Sequence, residues 1–201
     1  DRLEAATRAW WATTSYTLDV FNDGADPCQE FSVYVTRKTP VGPVIVRGNH
    51  ATRHEEGDQL IEFEFYPRFR PGTYAYLSTG IASEHSLYPK YRLAFDLYQA
   101  IGRGFEVSGG IRHVEFDDPS QVYVATLSKY VGNWMFTGKV YHVPAENDLD
   151  STSYHGGFRR YFGGDGTSYT GVTYSHGISR GIPSLRDLTT LAGGTVGGGV
   201  G

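Results

Sequence analysis

Residues 58–72 read DQLIEFEFYPRFRPG, and within them Ile61, Phe63 and Phe65 alternate one for one with Glu62 and Glu64. Successive side chains of a strand point to opposite faces, so this stretch describes a strand with one strongly apolar face and one charged face. The pattern recurs. In YRLAFDLYQAI, Leu93, Phe95 and Leu97 fall on one face and Arg92, Asp96 and Tyr98 on the other; in FEVSGGIRH, Phe105, Val107 and Ile111 oppose Glu106, Ser108 and Arg112.

Extended along the chain, the same period marks segments of about 9 to 14 residues bounded by Gly, Pro, Asn and Asp. They are AWWATTSYTLDVF, EFSVYVTRKT, PVIVRGNHATRH, QLIEFEFYPRF, TYAYLSTGIAS, YRLAFDLYQAI, FEVSGGIRHVEF, VYVATLSKYV, MFTGKVYHV, TSYHGGFRRYF, SYTGVTYSHGIS and TLAGGTVGGGV. Strands of globular proteins average about 5 to 6 residues, so a series this long and even suits a barrel wall better than a sandwich. Composition agrees: 15 Tyr, 11 Phe, 26 Gly and 9 Pro against one Met favour strands and turns over helices.

The connections alternate in kind. TPVG, RPG, IGRG, VGNW and FGGDG are tight, whereas NDGADPCQ, EEGD, SEHSLYPK, DDPSQ, PAENDLDS and RGIPSLRD are longer and more polar. Two kinds of end predict two kinds of surroundings. The expected fold is all-β, an antiparallel up-and-down transmembrane β-barrel of about 12 strands, with tight periplasmic turns and longer extracellular loops. Residues 1–201 read as a single barrel domain, and the Gly-rich end as a strand cut short.

On this reading Ile61, Phe63, Phe65, Leu93, Phe95, Leu97, Phe105, Val107 and Ile111 face lipid. Glu62, Glu64, Arg68, Arg92, Asp96, Tyr98, Glu106, Arg112 and Arg159 line the lumen and pair with one another. Trp10, Trp11, Tyr66, Tyr74, Tyr88, Tyr91 and Trp134, near strand ends, fit interfacial girdles. A soluble antiparallel sheet with one wet face produces the same period and stays an alternative.

Several chemistries are disfavoured. The net charge of -4 is scattered in both signs, which argues against nucleic acid. Cys28 is alone and forms no intramolecular disulfide. No apolar run of about 18 residues offers a transmembrane helix, which leaves strands free to span. His50 and His54 sit about 13 Å apart on an extended strand, too far to share a metal, so neither metal nor cofactor is expected. Glu62 and Glu64 lie about 7 Å apart, near glycosidase spacing, but flanking arginines favour ion pairing over catalysis. Ser175 and His176 point to opposite faces, so a Ser-His pair for lipid hydrolysis needs Ser179 or a serine on a neighbouring strand.

One resemblance narrows these options. The Tyr66-Pro67 strand close, GTYAYL at 72–77, YPKYR at 88–92, EVSGGIR at 106–112, YVGNW at 130–134 and FRRYF at 158–162 resemble the YaiO family of outer-membrane β-barrels over roughly residues 10–195. The resemblance implies a Gram-negative outer-membrane barrel at the cell surface, often accompanying surface-polysaccharide machinery, with no enzymatic residues to carry over. Implied surroundings are the lipid bilayer with its lipopolysaccharide, and surface polysaccharide or other envelope proteins. Family members continue through further strands, so the barrel is expected to extend beyond Gly201. The expected function is a non-enzymatic export component, pore or scaffold. An outer-membrane lipid hydrolase or acyltransferase with a wall Ser-His pair, and a soluble aromatic-rich glycan-binding sandwich, are the competing readings.

Overall fold

A computed structural model of the chain describes residues 9–19, 26–144, 150–162, 169–178 and 195–199. The strands are β1 (Trp10–Asp19), β2 (Cys28–Arg37), β3 (Val44–Arg53), β4 (Glu56–Phe65), β5 (Arg68–Arg70), β6 (Thr73–Ala82), β7 (Tyr91–Gly102), β8 (Phe105–Glu115), β9 (Pro119–Val131), β10 (Trp134–Val143), β11 (Ser151–Tyr161), β12 (Tyr169–Ile178) and β13 (Thr195–Gly199). All belong to one 13-stranded sheet in which each strand pairs with its chain neighbours; β5 lies off the main path, against β6. Every pairing is antiparallel, as in an up-and-down meander. Among the described residues β1 and β13 are the sheet's two edges.

The expected segments correspond to these strands, with two local differences. QLIEFEFYPRF divides at Tyr66-Pro67, because proline brings no N–H to the ladder, and the chain resumes as the short β5. EEGD and DDPSQ are not long loops: β3 passes to β4 through residues 54–55 and β8 to β9 through 116–118. His54 takes a left-handed φ of 54° to make the first of these turns. All of RGIPSLRD, the turn after Phe162 and Ser179 lie outside the described residues.

Two tight turns at the opposite end show how local sequence fixes the register. Arg103 and Gly104 both have positive φ, 52° and 75°, which matches the twist of flanking strands in a two-residue hairpin. Gly42, at φ 140°, sits where a Cβ would overlap the Tyr66 carbonyl, so the β2–β3 turn lies directly against the β4–β5 break. Backbone bonds from Tyr66 N to Pro43 O (3.0 Å) and Arg68 N to Val41 O (2.8 Å) fasten the two together.

Burial runs opposite to that of a soluble domain. Buried positions are mostly polar, including Ser32, Asn49, Asp58, Glu62, Glu64, Asp96, Ser108, Ser128, Ser153 and Ser175. The other face carries Phe31, Val46, Ile61, Phe63, Leu77, Ile81, Leu93, Phe95, Leu127 and Phe136, all exposed. An apolar face this continuous far exceeds the patches soluble monomers tolerate. A sandwich would cover it with a second sheet, but all described strands belong to one. The soluble glycan-binding reading therefore fails.

Candidate functional site

The buried face is assembled from residues two apart on each strand. In β4, Asp58, Leu60, Glu62 and Glu64 are all buried, whereas Ile61 and Phe63 are 69% and 46% exposed. Cross-strand register puts Arg47 and Asn49 of β3 on the same face as the two glutamates. Asn49 Nδ2 donates to Glu62 Oε2 at 2.8 Å, and Arg47 Nη2 meets Glu64 Oε1 at 2.9 Å. Both contacts are diagonal, reaching two residues past the partner directly opposite, as the stagger of a twisted sheet allows.

The second partner of Glu62 lies two strands away. Arg92 of β7 donates through Nε to Glu62 Oε1 at 2.8 Å and through Nη2 to the same oxygen. Between them in register stands Gly80 of β6. A Cβ on Gly80 would come within 3.0 Å of Glu62 Cγ and 3.3 Å of Arg92 Cγ, so the missing side chain is the gap through which the pair meets. Asp96 has a similar setting: Arg112 Nη2 donates to its Oδ2 at 2.7 Å, again diagonally, and its carboxylate lies over Gly110.

Tyrosines continue the network toward the tight-turn end. Tyr66 OH donates to Glu64 Oε2 at 3.1 Å and its ring lies 5.0 Å from that of Tyr76. Burial, reinforced by the Glu64 charge, pushes the Tyr66 phenol well above its ordinary pKa, so it remains a donor. Tyr74 donates to Glu106 Oε1 at 3.3 Å and stacks on Tyr98 with ring centroids 4.6 Å apart. Farther round, Lys139 and Arg112 both approach the Tyr141 ring, at 5.6 and 5.7 Å, and Arg159 stacks over Tyr169 at 4.7 Å.

Of the residues singled out from sequence, Glu62, Glu64, Arg92, Asp96, Tyr98, Glu106 and Arg112 share this wall. Arg159 occupies the same face in register but is exposed. Arg68 falls on β5, exposed and beyond the network. On the opposite face Leu93, Phe95, Leu97, Phe105 and Ile111 are exposed, and Phe65 and Val107 are partly covered. Part of the expected girdle is corrected: Tyr66 and Tyr74 turn into the polar network and Tyr88 is buried, whereas Trp10, Tyr91 and Trp134 keep the apolar face.

The sequence reading does not single out Asp58, Arg47 or Asn49, and it puts Tyr88 at the interface. Asp58 accepts from the backbone N–H groups of Gln59, Glu84, Leu87 and Tyr88. Tyr88, in the β6–β7 connection, packs with Ala51, Leu60 and Ala82 on the polar face. The phase of Asp58 with Leu60, Glu62 and Glu64 was a legible sign of its inward direction. For Tyr88 no comparable signal exists.

A cross-strand Ser-His contact does form, though not at His176. Ser175 Oγ lies 2.6 Å from His155 Nδ1, and Ser153 Oγ 3.3 Å from its Nε2. Both ring nitrogens are thus engaged by serines, and Ser175 is 2% exposed on the polar face, away from the face that lipid would touch. The arrangement orients a histidine but presents no accessible nucleophile to phospholipid. No cluster of three metal-ligating side chains occurs among the described residues.

An antiparallel meander with an apolar outer wall and a polar, ion-paired inner wall is a membrane-spanning β-barrel, because only closed strand pairing satisfies backbone groups in hydrocarbon. The comparisons say the same. The sequence model of the YaiO membrane β-barrel domain matches residues 12–180. The chain belongs to that family, and its place is the bacterial outer membrane. Among solved structures it is similar in fold to a KdgM porin, with a TM-score of 0.60 and 6% identity over 84% of this chain and 91% of that one. No curated protein matches its sequence significantly.

Proposed function

We propose that the barrel is a narrow, non-enzymatic pore of the outer membrane that serves surface polysaccharide, passing small polar or sugar-like solutes. Ile61, Phe63, Phe65, Leu93, Phe95, Leu97, Phe105, Val107 and Ile111 face lipid in this reading. Glu62, Glu64, Arg92, Asp96, Tyr98, Glu106, Arg112 and Arg159 line the lumen, and Arg68 flanks its periplasmic mouth. In this reading the tight turns at residues 103–104 and 132–133 face the periplasm, and the 83–90 connection, at the other end of the strands, faces outward among lipopolysaccharide, glycan and other envelope proteins. Residues 1–201 act as one barrel domain.

The observation that carries this reading is unspent hydrogen-bonding capacity. Among the described residues, Arg47 Nε, Asn49 Oδ1, Asp96 Oδ1, Arg112 Nη1 and Thr126 Oγ1 are buried without a hydrogen-bond partner, and all belong to the inner wall. Groups of this kind are costly in a dry interior and satisfied in a wet one. The name of the structural neighbour, a porin, points the same way. The Ser175–His155 contact does not favour hydrolysis, for want of access.

The test is conductance and solute flux. Full-length protein refolded into planar bilayers is expected to give discrete conductance steps, and proteoliposomes to swell in small neutral sugars but not in larger oligosaccharides. Electrically silent bilayers with unswollen vesicles, from protein shown by heat-modifiable gel mobility to be folded, would overturn the pore.

A further inference from the structure

We infer that the β6–β7 connection, residues 83–90, is folded into the barrel mouth as the pore's size-limiting constriction, and that buried Asp58 is the anchor that holds it there. The inference rests on the pore reading above and adds the element that sets its cutoff.

Asp58 is 1% exposed and stands at the start of the inward-facing row of β4. Its Oδ1 accepts from Gln59 N (2.8 Å), Glu84 N (3.0 Å) and Ser83 Oγ (3.3 Å), and its Oδ2 from Tyr88 N (2.9 Å) and Leu87 N (3.1 Å). One carboxylate therefore gathers donors from both ends of the connection. Hydrogen bonds to a charged acceptor are about twice as strong as neutral ones, so five donors on one carboxylate hold the connection firmly.

Residues 83–86 of the anchored segment are exposed, whereas residues 87–89 turn in against the wall. Tyr88 is 5% exposed and clusters with Ala51 of β3, Leu60 of β4 and Ala82 of β6, with Leu87 packed alongside. All three are inner-wall positions by register. Its hydroxyl then donates to Glu30 Oε2 of β2 at 2.6 Å. From β6 to β2 the segment crosses three strand spacings, about 14 Å of wall at roughly 4.8 Å each. The wall below is cut down to receive it: Ala51 and Ala82 are small, and only Leu60 is bulky and apolar amid the polar row of β4. That apolar seat receives the Tyr88 ring together with Leu87.

The experiment combines a structural and a functional readout on full-length protein in bilayers. Asp58→Asn removes the anchor's charge, Tyr88→Ala the obstructing ring, and Tyr88→Phe only the Glu30 latch. Trypsin cleavage after Lys90, whose carbonyl accepts from Ala82 N, reports release of the segment. It is expected to quicken about tenfold or more in Asp58→Asn. Conductance is expected to rise about twofold in Tyr88→Ala, with larger sugars admitted and an intermediate change in Tyr88→Phe. Cleavage of the wild type as fast as that of Asp58→Asn would overturn the anchor. Unchanged conductance and cutoff in Tyr88→Ala would overturn the constriction. Silence of every variant would overturn the pore itself, and with it the constriction, while cleavage still separately reported whether Asp58 seats the segment. Should Asp58→Asn fail to fold, Tyr88→Phe and Glu30→Gln must still loosen the segment for the inference to stand.

Discussion

Replacing Arg92 by Met tests whether the inner wall is a coupled ion-pair network or a set of solvated side chains. Met approximates the length of the arginine stem while deleting the guanidinium, so packing changes least. Glu62, 2% exposed, holds three hydrogen bonds: one from Asn49 and two from Arg92. The substitution leaves a buried carboxylate with a single donor. Breaking a fully buried pair costs about 3 to 5 kcal/mol. Because the Arg92 side chain is 25% exposed, screening lowers the expected loss to about 2 to 4 kcal/mol. The partner substitution supplies the decisive comparison. With Glu62→Met added, no buried charge is left unpaired, and the double variant is expected to be more stable than Arg92→Met alone. Equilibrium urea unfolding in lipid vesicles, followed by the fluorescence of Trp10, Trp11 and Trp134, measures both. A loss under about 0.5 kcal/mol for Arg92→Met, or a double variant costing the sum of the singles, would refute the coupled network.

Two further predictions address the two faces. Adjacent Gly109 and Gly110 should respond differently to alanine: at Gly110 a Cβ would overlap the Asp96 carboxylate and the Phe95 carbonyl, whereas at Gly109 the nearest atom is Val124 O at 4.0 Å. The same unfolding assay is expected to show about 1 to 3 kcal/mol lost at Gly110 and under about 0.5 at Gly109, and equal losses would contradict the inward placement of Asp96. Phe95→Arg, on the outer wall, should cost about 2 to 4 kcal/mol in bilayers because a cation near the midplane meets hydrocarbon. A free-energy change near zero in vesicles would remove Phe95 from the lipid-facing set.

Much of the wall was legible because its signal is local. The alternation in QLIEFEF separates Ile61 and Phe63 from Glu62 and Glu64 whatever their neighbours are, and the structure places them on opposite faces of β4. What the alternation could not show was partners. Glu62 meets Arg92, 30 residues away, only because β4, β6 and β7 align with Gly80 between them, and register across three strands is not encoded in any one of them. The same limit explains the misplaced tyrosines. Tyr66 and Tyr74 were assigned to the interface for their nearness to strand ends, yet phase already placed Tyr74 with Tyr76 and Ser78 on the inner row. Tyr88 sits in an aperiodic connection, where its direction depends on capture by Asp58, a tertiary event with no local trace.

The inner glycines clarify why this wall uses small residues where a soluble sheet would use large ones. A sheet ladder sets neighbouring strands about 4.8 Å apart, so side chains in adjacent strands meet readily, while those two strands apart are blocked by whatever stands between. Gly80 removes that block for Glu62 and Arg92; Gly110 gives the Asp96 carboxylate room to lie against the wall, where Arg112 reaches it diagonally. Charges drawn down onto the wall project less far into the lumen. The same charges standing upright from a wall without glycines would fill a barrel of this strand number more completely. Glycine placement thus links strand register to open cross-section: substitutions at Gly80 or Gly110 should alter conductance through displaced carboxylates even where the barrel itself stays folded.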